Sequence, residues 1–200
     1  SQASGKLSAR YAFTDAVALR GTVSSGFRAP SLAQQYFQTI STIYLAGIPE
    51  PFEIRTFPAS SAVAQAFGAE PLQPEESLSY SLGLVLQPAE RLYVTIDAYH
   101  IEVDDRIALS SNLTGDAVRA LLESRGIFGV NGGRYFTNAI DTRTQGIDVV
   151  ANYGLDVGGG TLDLTAGWNW TDTEITRIAP NPEELEQAGL NLERIDRTEI

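Results

Sequence analysis

The sequence predicts an all-β fold: an antiparallel up-and-down transmembrane barrel segment of about six strands, with short helices in long loops. Three observations support this prediction. Apolar and polar residues alternate along several segments, which is typical of strands with one apolar and one polar face. The connections between these segments are alternately short and long. The polar faces are rich in Ser, Thr, Gly, Asn and Asp, with few Lys or Glu, which indicates a crowded wet interior.

The clearest alternation runs from Ser77 to Gln87, where even-numbered residues are apolar and odd-numbered residues are mostly small or polar. Because successive side chains of a strand point to opposite faces, this segment has one apolar face. The same pattern predicts five further strands, which are Leu7–Phe13, Val17–Val23, Leu92–Val103, Gln145–Asp156 and Thr161–Asp172.

The connections separate into two classes. Short turns are predicted at Thr14-Asp15, from Pro88 to Arg91, and from Asp156 to Gly160. Long irregular segments are predicted from Gly26 to Glu76 and from Asp104 to Arg134, and another begins after Thr173. Loops of this length are uncommon in compact soluble domains, whereas bacterial outer-membrane barrels have short turns at one end and long loops at the other.

Two short helices are predicted inside the long loops. Thr114 is a candidate N-cap for a helix that contains Val118 and Leu122 and stops near Gly126. Asn181-Pro182-Glu183-Glu184 has the pattern of an N-cap, a first-turn proline and acidic residues favoured by the helix dipole, with Gly189 as terminator.

The composition argues against several function classes. The formal net charge is −11, so the clustered Lys and Arg that contact nucleic-acid phosphates are not expected. The chain has no cysteine and one histidine, His100, so thiol chemistry, a catalytic triad and Cys- or His-rich metal sites are not expected. We therefore predict no enzyme activity, no cofactor and no bound metal.

Strand alternation alone is equally compatible with a soluble β-sandwich or barrel. The positions of the aromatic residues favour a membrane barrel, because they form two bands separated by aliphatic residues, as the interfacial girdles of such barrels do. The predicted membrane-interface aromatics are Phe13, Tyr93 and Tyr153 beside the short turns, and Tyr80, Trp168 and Trp170 toward the long loops. A passive pore or adhesin barrel and a soluble β-rich binding module remain as alternatives.

Five segments, in order, resemble the TonB-dependent outer-membrane receptors. Ser25–Leu32 reads SGFRAPSL, which is similar to the G-F-R-A-P-S/T segment of that family. Pro71–Ser77 resembles the N-P-x-L-x-P-E-x-S motif with which the family enters its next strand. Ala69-Glu70 stands where the family usually has Asn. The likeness continues through Leu92–Arg106, Tyr135–Ala139 and Thr144–Asp148. The family-motif residues are Gly26, Phe27, Arg28, Ala29 and Pro30.

The resemblance implies a 22-stranded barrel in the outer membrane of a Gram-negative bacterium, closed by an N-terminal plug. Such receptors import a scarce ligand, such as an iron chelate, cobalamin or a glycan, with energy from the TonB complex, which acts through the plug. Residues 1–200 are expected to be a part of that barrel without its plug domain or C-terminal strand, in contact with outer-membrane lipid. Six strands alone are too few to close around a lumen.

Ligand contacts of such a receptor are expected in the long loops. Arg28 could bind an anionic ligand, but we favour a structural role for it, ordering the loop through paired hydrogen bonds. The other candidate contacts are Tyr36, Tyr44, Arg55 and Arg134.

Overall fold

The computed structural model describes residues 3–43, 52–187 and 195. Within them the chain forms nine strands and four short helices. The strands are β1 (Gly5–Thr14), β2 (Val17–Arg28), β3 (Thr39–Ile43), β4 (Phe52–Phe57), β5 (Glu75–Ala89), β6 (Leu92–Leu109), β7 (Leu113–Thr114), β8 (Gly132–Val157) and β9 (Gly160–Ile178). The helices are α1 (Leu32–Tyr36), α2 (Ala62–Ala66), α3 (Asp116–Ser124) and α4 (Glu183–Gln187). The all-β prediction is confirmed.

The chain divides into two compact units, each built from three separate segments. Unit 1 comprises Ser1–Phe27, Glu76–Asp104 and Asp141–Thr176. In its sheet the strands follow the order β1-β2-β5-β6-β8-β9. The hairpins β1–β2 and β5–β6 are antiparallel. All six predicted strands are therefore present.

The strands are longer than the sequence pattern indicates. β8 begins at Gly132 rather than Gln145, and β9 continues to Ile178 rather than ending at Asp172. At the start of β8 buried residues occur at both odd and even positions and include the polar Thr137 and Thr142. In its later part the apolar row is odd-numbered and partly or fully exposed. The early part of β8 thus lacks a simple apolar row that alternation would detect.

Unit 2 comprises Arg28–Glu75, Asp105–Ile140 and Arg177–Ile200. The short helices predicted in the long connections are present, but these connections are more regular than the sequence indicates. The first of them contains α1, α2 and the antiparallel β3–β4 hairpin. β4 also pairs in parallel with β8, through Arg55–Phe57 and Gly133–Tyr135, which departs from a purely antiparallel barrel.

The predicted N-cap of the third helix is wrong. Thr114 belongs to β7, where it pairs with Gly132, so its backbone is committed to the sheet. The N-cap is Gly115, which has a φ of 112° and no side-chain capping hydrogen bond. Glycine tolerates this conformation and allows a strand to turn directly into a helix. The fourth helix begins at Glu183, close to its prediction, while Gly189 lies outside the described residues.

Unit 2 has its own hydrophobic core. Val118 and Leu122 lie one helical turn apart on α3 and are completely buried. They pack in one cluster with Phe67 after α2, Tyr135 of β8 and Leu185 of α4. Tyr135 is also hydrogen bonded, because its hydroxyl donates to the Phe67 carbonyl at 3.2 Å. The long connections therefore fold together as a small packed module.

Unit 1, by contrast, has almost no buried apolar residues. Both clusters of buried hydrophobic residues found in the described part of the chain lie in unit 2. Among the described residues of unit 1, the buried hydrophobic side chain is that of Ala18.

Throughout the part of the chain that the structure describes, no helix has the length and apolar character needed to cross a membrane.

Candidate functional site

The sheet of unit 1 has one apolar face. The register aligns Leu7 with Val23 on β1 and β2, and Leu82 with Ala98 on β5 and β6, so the apolar rows of neighbouring strands share a face. Its large side chains are not covered: Leu82 is 56% exposed, Leu164 48% and Trp168 58%. A soluble module would bury these residues in a core.

The opposite face carries hydrogen bonds between polar side chains. Thr165 donates to Asn152 Oδ1 at 2.8 Å, and Asn169 donates to Asp148 Oδ1. Hydroxyl pairs join Ser8 to Thr22 at 3.1 Å and Thr144 to Thr173 at 3.0 Å. Cross-strand pairs of this kind stabilise a sheet by about 0.2–1 kcal/mol each.

One ion pair on this face crosses an intervening strand. Arg20 of β2 donates Nε to Asp97 Oδ1 at 2.9 Å and Nη2 to Asp97 Oδ2 at 2.6 Å. Asp97 lies on β6, so β5 lies between the partners. The β5 residue beneath the pair is Gly83, where an added Cβ would lie 2.7 Å from Arg20 Nε. The bridge therefore requires glycine at this position.

A second bridge is built in the same way. The hydroxyls of Tyr99 on β6 and Thr171 on β9 are hydrogen bonded at 2.6 Å across β8. The β8 residue beneath them is Gly146, where an added Cβ would lie 2.5 Å from the Trp170 carbonyl oxygen. Side chains of strands two apart, about 9.5 Å by backbone spacing, meet most easily where the face that bears them is concave.

The predicted interface aromatics divide between the two faces. Tyr93 lies on the polar face, where its hydroxyl accepts a hydrogen bond from Gln87 at 3.2 Å. Its position in the sequence near a short turn said nothing about which face it occupies. All six aromatic residues are exposed, and the other five lie on the apolar face by strand alternation: Phe13, Tyr80, Tyr153, Trp168 and Trp170.

Arg28 closes the base of the first long connection. It ends β2, and its guanidinium bonds both carboxylate oxygens of Glu75, the first residue of β5, with Nε at 2.7 Å from Oε2. Glu75 is only 5% exposed and also accepts the Ile107 backbone N–H at 2.8 Å. The two ends of the segment between Arg28 and Glu75 are thus joined through one carboxylate.

The electrostatics of Glu75 favour its charged form. Burial alone would raise its pKa, but hydrogen bonds from Arg28 and from the Ile107 N–H, with the positive charges of Arg28 and Arg106, lower the pKa below its usual range. The hydrogen bond to Glu75 in turn raises the pKa of Arg28. The sequence predicted paired hydrogen bonds for Arg28, but it offered little signal for the identity of the partner beyond an acidic residue at a strand start.

The remaining motif residues shape the start of the same connection. An added Cβ at Gly26 would lie 3.0 Å from Ser77 Oγ, and Phe27 is about half exposed. Ala29 lies in the short stretch between β2 and α1, and the Pro30 carbonyl accepts a hydrogen bond from Gln35 at 2.9 Å. The motif is thus a strand end followed by a tightly bonded turn into α1.

The other candidate ligand contacts fall in unit 2. Tyr36 ends α1 and is 67% exposed. Arg55 and Arg134 lie on paired strands, where Arg134 is in register with Thr56 and donates Nε to its hydroxyl at 3.0 Å. Arg55 itself pairs with Gly133, so its side chain points to the opposite face of the strand pair from that of Arg134, and the structure does not bring the two guanidinium groups together. Tyr44 lies outside the described residues.

A charged group ends the apolar face of unit 1. His100 Nε2 lies 3.2 Å from Glu102 Oε1 on β6. Arg143 of β8 lies 3.7 Å from the same oxygen and donates to Glu174 of β9 at 3.0 Å. Alternation did not single out this group, since each of its strands contributes only one or two members. Across residues 3–43, 52–187 and 195, no three His, Asp or Glu residues are arranged to hold a metal ion.

Comparison with known proteins identifies the family. The profile of the TonB-dependent receptor-like β-barrel matches residues 1–194. The chain belongs to this family, as its sequence motifs suggested.

The chain is similar to several solved structures, and the first two named below have the same fold. The siderophore receptor PirA from Pseudomonas aeruginosa aligns with a TM-score of 0.55 and 13% identity over 86% of this chain. The RagAB peptide transporter aligns with a TM-score of 0.50 and 14% identity over 82% of this chain. The copper transporter OprC aligns with a TM-score of 0.47 and 17% identity over 84% of this chain. The chain spans 28%, 16% and 20% of those three chains, respectively. A search of curated proteins gives no match.

Proposed function

We propose that this chain is part of the barrel wall of an outer-membrane receptor in a Gram-negative bacterium. The full-length receptor would bind a scarce small molecule and import it with energy from the TonB complex, without catalysing a reaction. Family membership supports the outer-membrane location and the transport class. The candidate ligands are an iron chelate, cobalamin and a glycan.

One observation carries the proposal: the sheet of unit 1 has an exposed apolar face and a hydrogen-bonded polar face, and its described residues form no hydrophobic core. In water, an uncovered face with Leu82, Leu164 and Trp168 would cost free energy in proportion to its apolar area. In a bilayer the same face would contact hydrocarbon, while the polar face would line a wet interior. Phe13, Tyr80, Tyr153, Trp168 and Trp170 would then lie near the two lipid–water interfaces.

Ligand contacts would lie in the packed module of unit 2. Arg28 is engaged with Glu75, so we assign it to positioning the loop rather than to the ligand. Tyr36 is exposed, and it remains a proposed contact together with Tyr44, Arg55 and Arg134. The two arginines lie on opposite faces of the β4–β8 pair, so a ligand on one face would meet one guanidinium group. An aromatic ring and a guanidinium group suit an anionic or ring-bearing ligand.

The orientation of the wall can be tested with cysteine pairs, because the chain contains no cysteine. Leu82→Cys and Ser81→Cys place a nitroxide label on opposite faces of β5 in the full-length receptor in vesicles. We expect the label at 82 to be relaxed mainly by lipid-soluble oxygen. The label at 81 should be much less accessible to oxygen. If both labels respond equally to a water-soluble nickel chelate, the apolar face does not contact lipid.

The transport function can be tested by uptake in cells that express the full-length receptor. We expect one of the three ligand types to accumulate only when TonB is also present. Tyr36→Ala should weaken that uptake about tenfold, since exposed aromatic contacts are frequent binding hot spots. Phe128→Ala is the matched control, because Phe128 is an exposed aromatic of unit 2 outside the proposed contacts. Uptake that is independent of TonB would contradict energy coupling.

A further inference from the structure

A groove of about 520 Å³ indents the apolar face of unit 1 across β1, β2, β5 and β6. Small residues make its floor: Ala9 of β1 is in register with Gly21 of β2, and Ala98 of β6 is in register with Leu82 of β5. The adjoining row is bulkier and contains Leu7, Val23, Tyr80 and His100. The volume of this shallow, open groove lies in the range of small-molecule sites.

The groove has a polar end. His100 lines it, and the ring of Tyr80 lies beside the imidazole with centroids 6.4 Å apart. The imidazole Nε2 faces Glu102, and Glu102 neighbours Arg143, which in turn bonds Glu174. Apart from the imidazole, this end carries two carboxylates and one guanidinium group, so acidic groups outnumber basic ones. Such a group can accept hydrogen bonds from hydroxyls, and it disfavours an additional phosphate.

We propose that the groove binds one acyl chain of a membrane glycolipid, whose sugar hydroxyls hydrogen bond to His100 and Glu102. This inference rests on the proposed function, because the groove must open to lipid. The apolar lining then continues the lipid-facing surface, and the chain can enter sideways from the bilayer. The small residues of the floor allow a chain to lie deeper than it could on the rest of the face.

The test fills the groove and leaves the wall intact. An added Cβ at Gly21 would make only ordinary contacts, 3.7 Å from the Ser81 carbonyl oxygen and 3.9 Å from Leu82, so Gly21→Ala is the matched control. Gly21→Leu adds three further carbons in the groove. The full-length receptor is reconstituted with monoglucosyldiacylglycerol and phosphatidylglycerol of identical acyl chains, and retained lipid is counted by native mass spectrometry.

We expect wild type and Gly21→Ala to retain the glucolipid in preference to phosphatidylglycerol. Gly21→Leu should lower glucolipid retention roughly tenfold, since excluding about two methylene groups changes affinity by that factor. His100→Leu should remove the preference for the sugar head group. Equal retention by Gly21→Leu and Gly21→Ala, or no preference in wild type, would overturn the proposal. Those results leave the labelling outcome at Leu82 unchanged, so the lipid site and the proposed function fail separately.

Discussion

Replacing Gly146 with alanine is expected to destabilise the full-length receptor by about 2–3 kcal/mol. The new Cβ would lie 2.5 Å from the Trp170 carbonyl oxygen, and the Tyr99 hydroxyl would be closer still. A side chain could rotate away, but the carbonyl belongs to the backbone of β9. Either β9 shifts or the bridge between Tyr99 and Thr171 breaks. Urea unfolding of the receptor in lipid vesicles measures the loss.

Gly167→Ala is the control for this experiment. Gly167 also lies on a long strand of unit 1, and no atom would lie within 4 Å of an added Cβ. We expect no loss there, and a gain of up to roughly 0.5–1 kcal/mol, because glycine gives up more backbone entropy on folding than alanine. If both variants unfold at the same urea concentration, the close approach over Gly146 has no energetic role.

Replacing Glu75 with alanine is expected to free the base of the first long connection. The carboxylate is buried and serves two donors, the Arg28 guanidinium and the Ile107 N–H. Removing it leaves both without their acceptor, at a cost of about 2 kcal/mol. Amide exchange at Ile107 should therefore accelerate roughly 30-fold. Exchange in the apolar rows of unit 1 should change little, because the loss is local.

Two comparisons separate the contributions at this site. Arg28→Lys keeps the positive charge but loses the paired hydrogen bonds, so we expect a smaller effect and continued protection of the Ile107 amide.

Because the pKa of Glu75 is lowered in the folded protein, the contribution of this carboxylate to stability is complete above the ordinary glutamate pKa of about 4.3. It is lost as the pH falls through the lower folded value. Glu75→Gln should lack this acid-dependent loss, and a wild-type loss already present near pH 6 would contradict the assignment.

The sequence was sufficient for the two faces of unit 1 because each strand there repeats one simple rule. Alternation gave the side of Leu82 and Trp168 correctly, and it also placed Tyr93 with Thr95 and Asp97 on the polar face. Proximity to a turn was the basis for predicting Tyr93 at the membrane interface, and it carries no information about the face. The position of a residue along a strand does not tell which face its side chain occupies. The face follows from the alternation of side chains and from the pairing register with the neighbouring strand.

The structure of unit 2 was much harder to predict because its stabilising contacts are remote in sequence. Tyr135 bonds Phe67, and Arg28 bonds Glu75 from the opposite end of a long connection. Thr114 has the chemistry of an N-cap, yet pairing with Gly132 outweighs that local preference. Tertiary contacts overrode propensity at both places, and a single sequence does not reveal which remote partners will meet.

The shared core of the long connections limits how this receptor can be re-engineered. Phe67, Val118 and Tyr135 come from different stretches of the chain but fill a single interior. A chimera that transplants one stretch alone would leave the others with a cavity, at a cost of several kcal/mol for each large side chain lost. Grafts should carry all of these stretches as a block, while changes of ligand preference are best sought at exposed positions such as Tyr36.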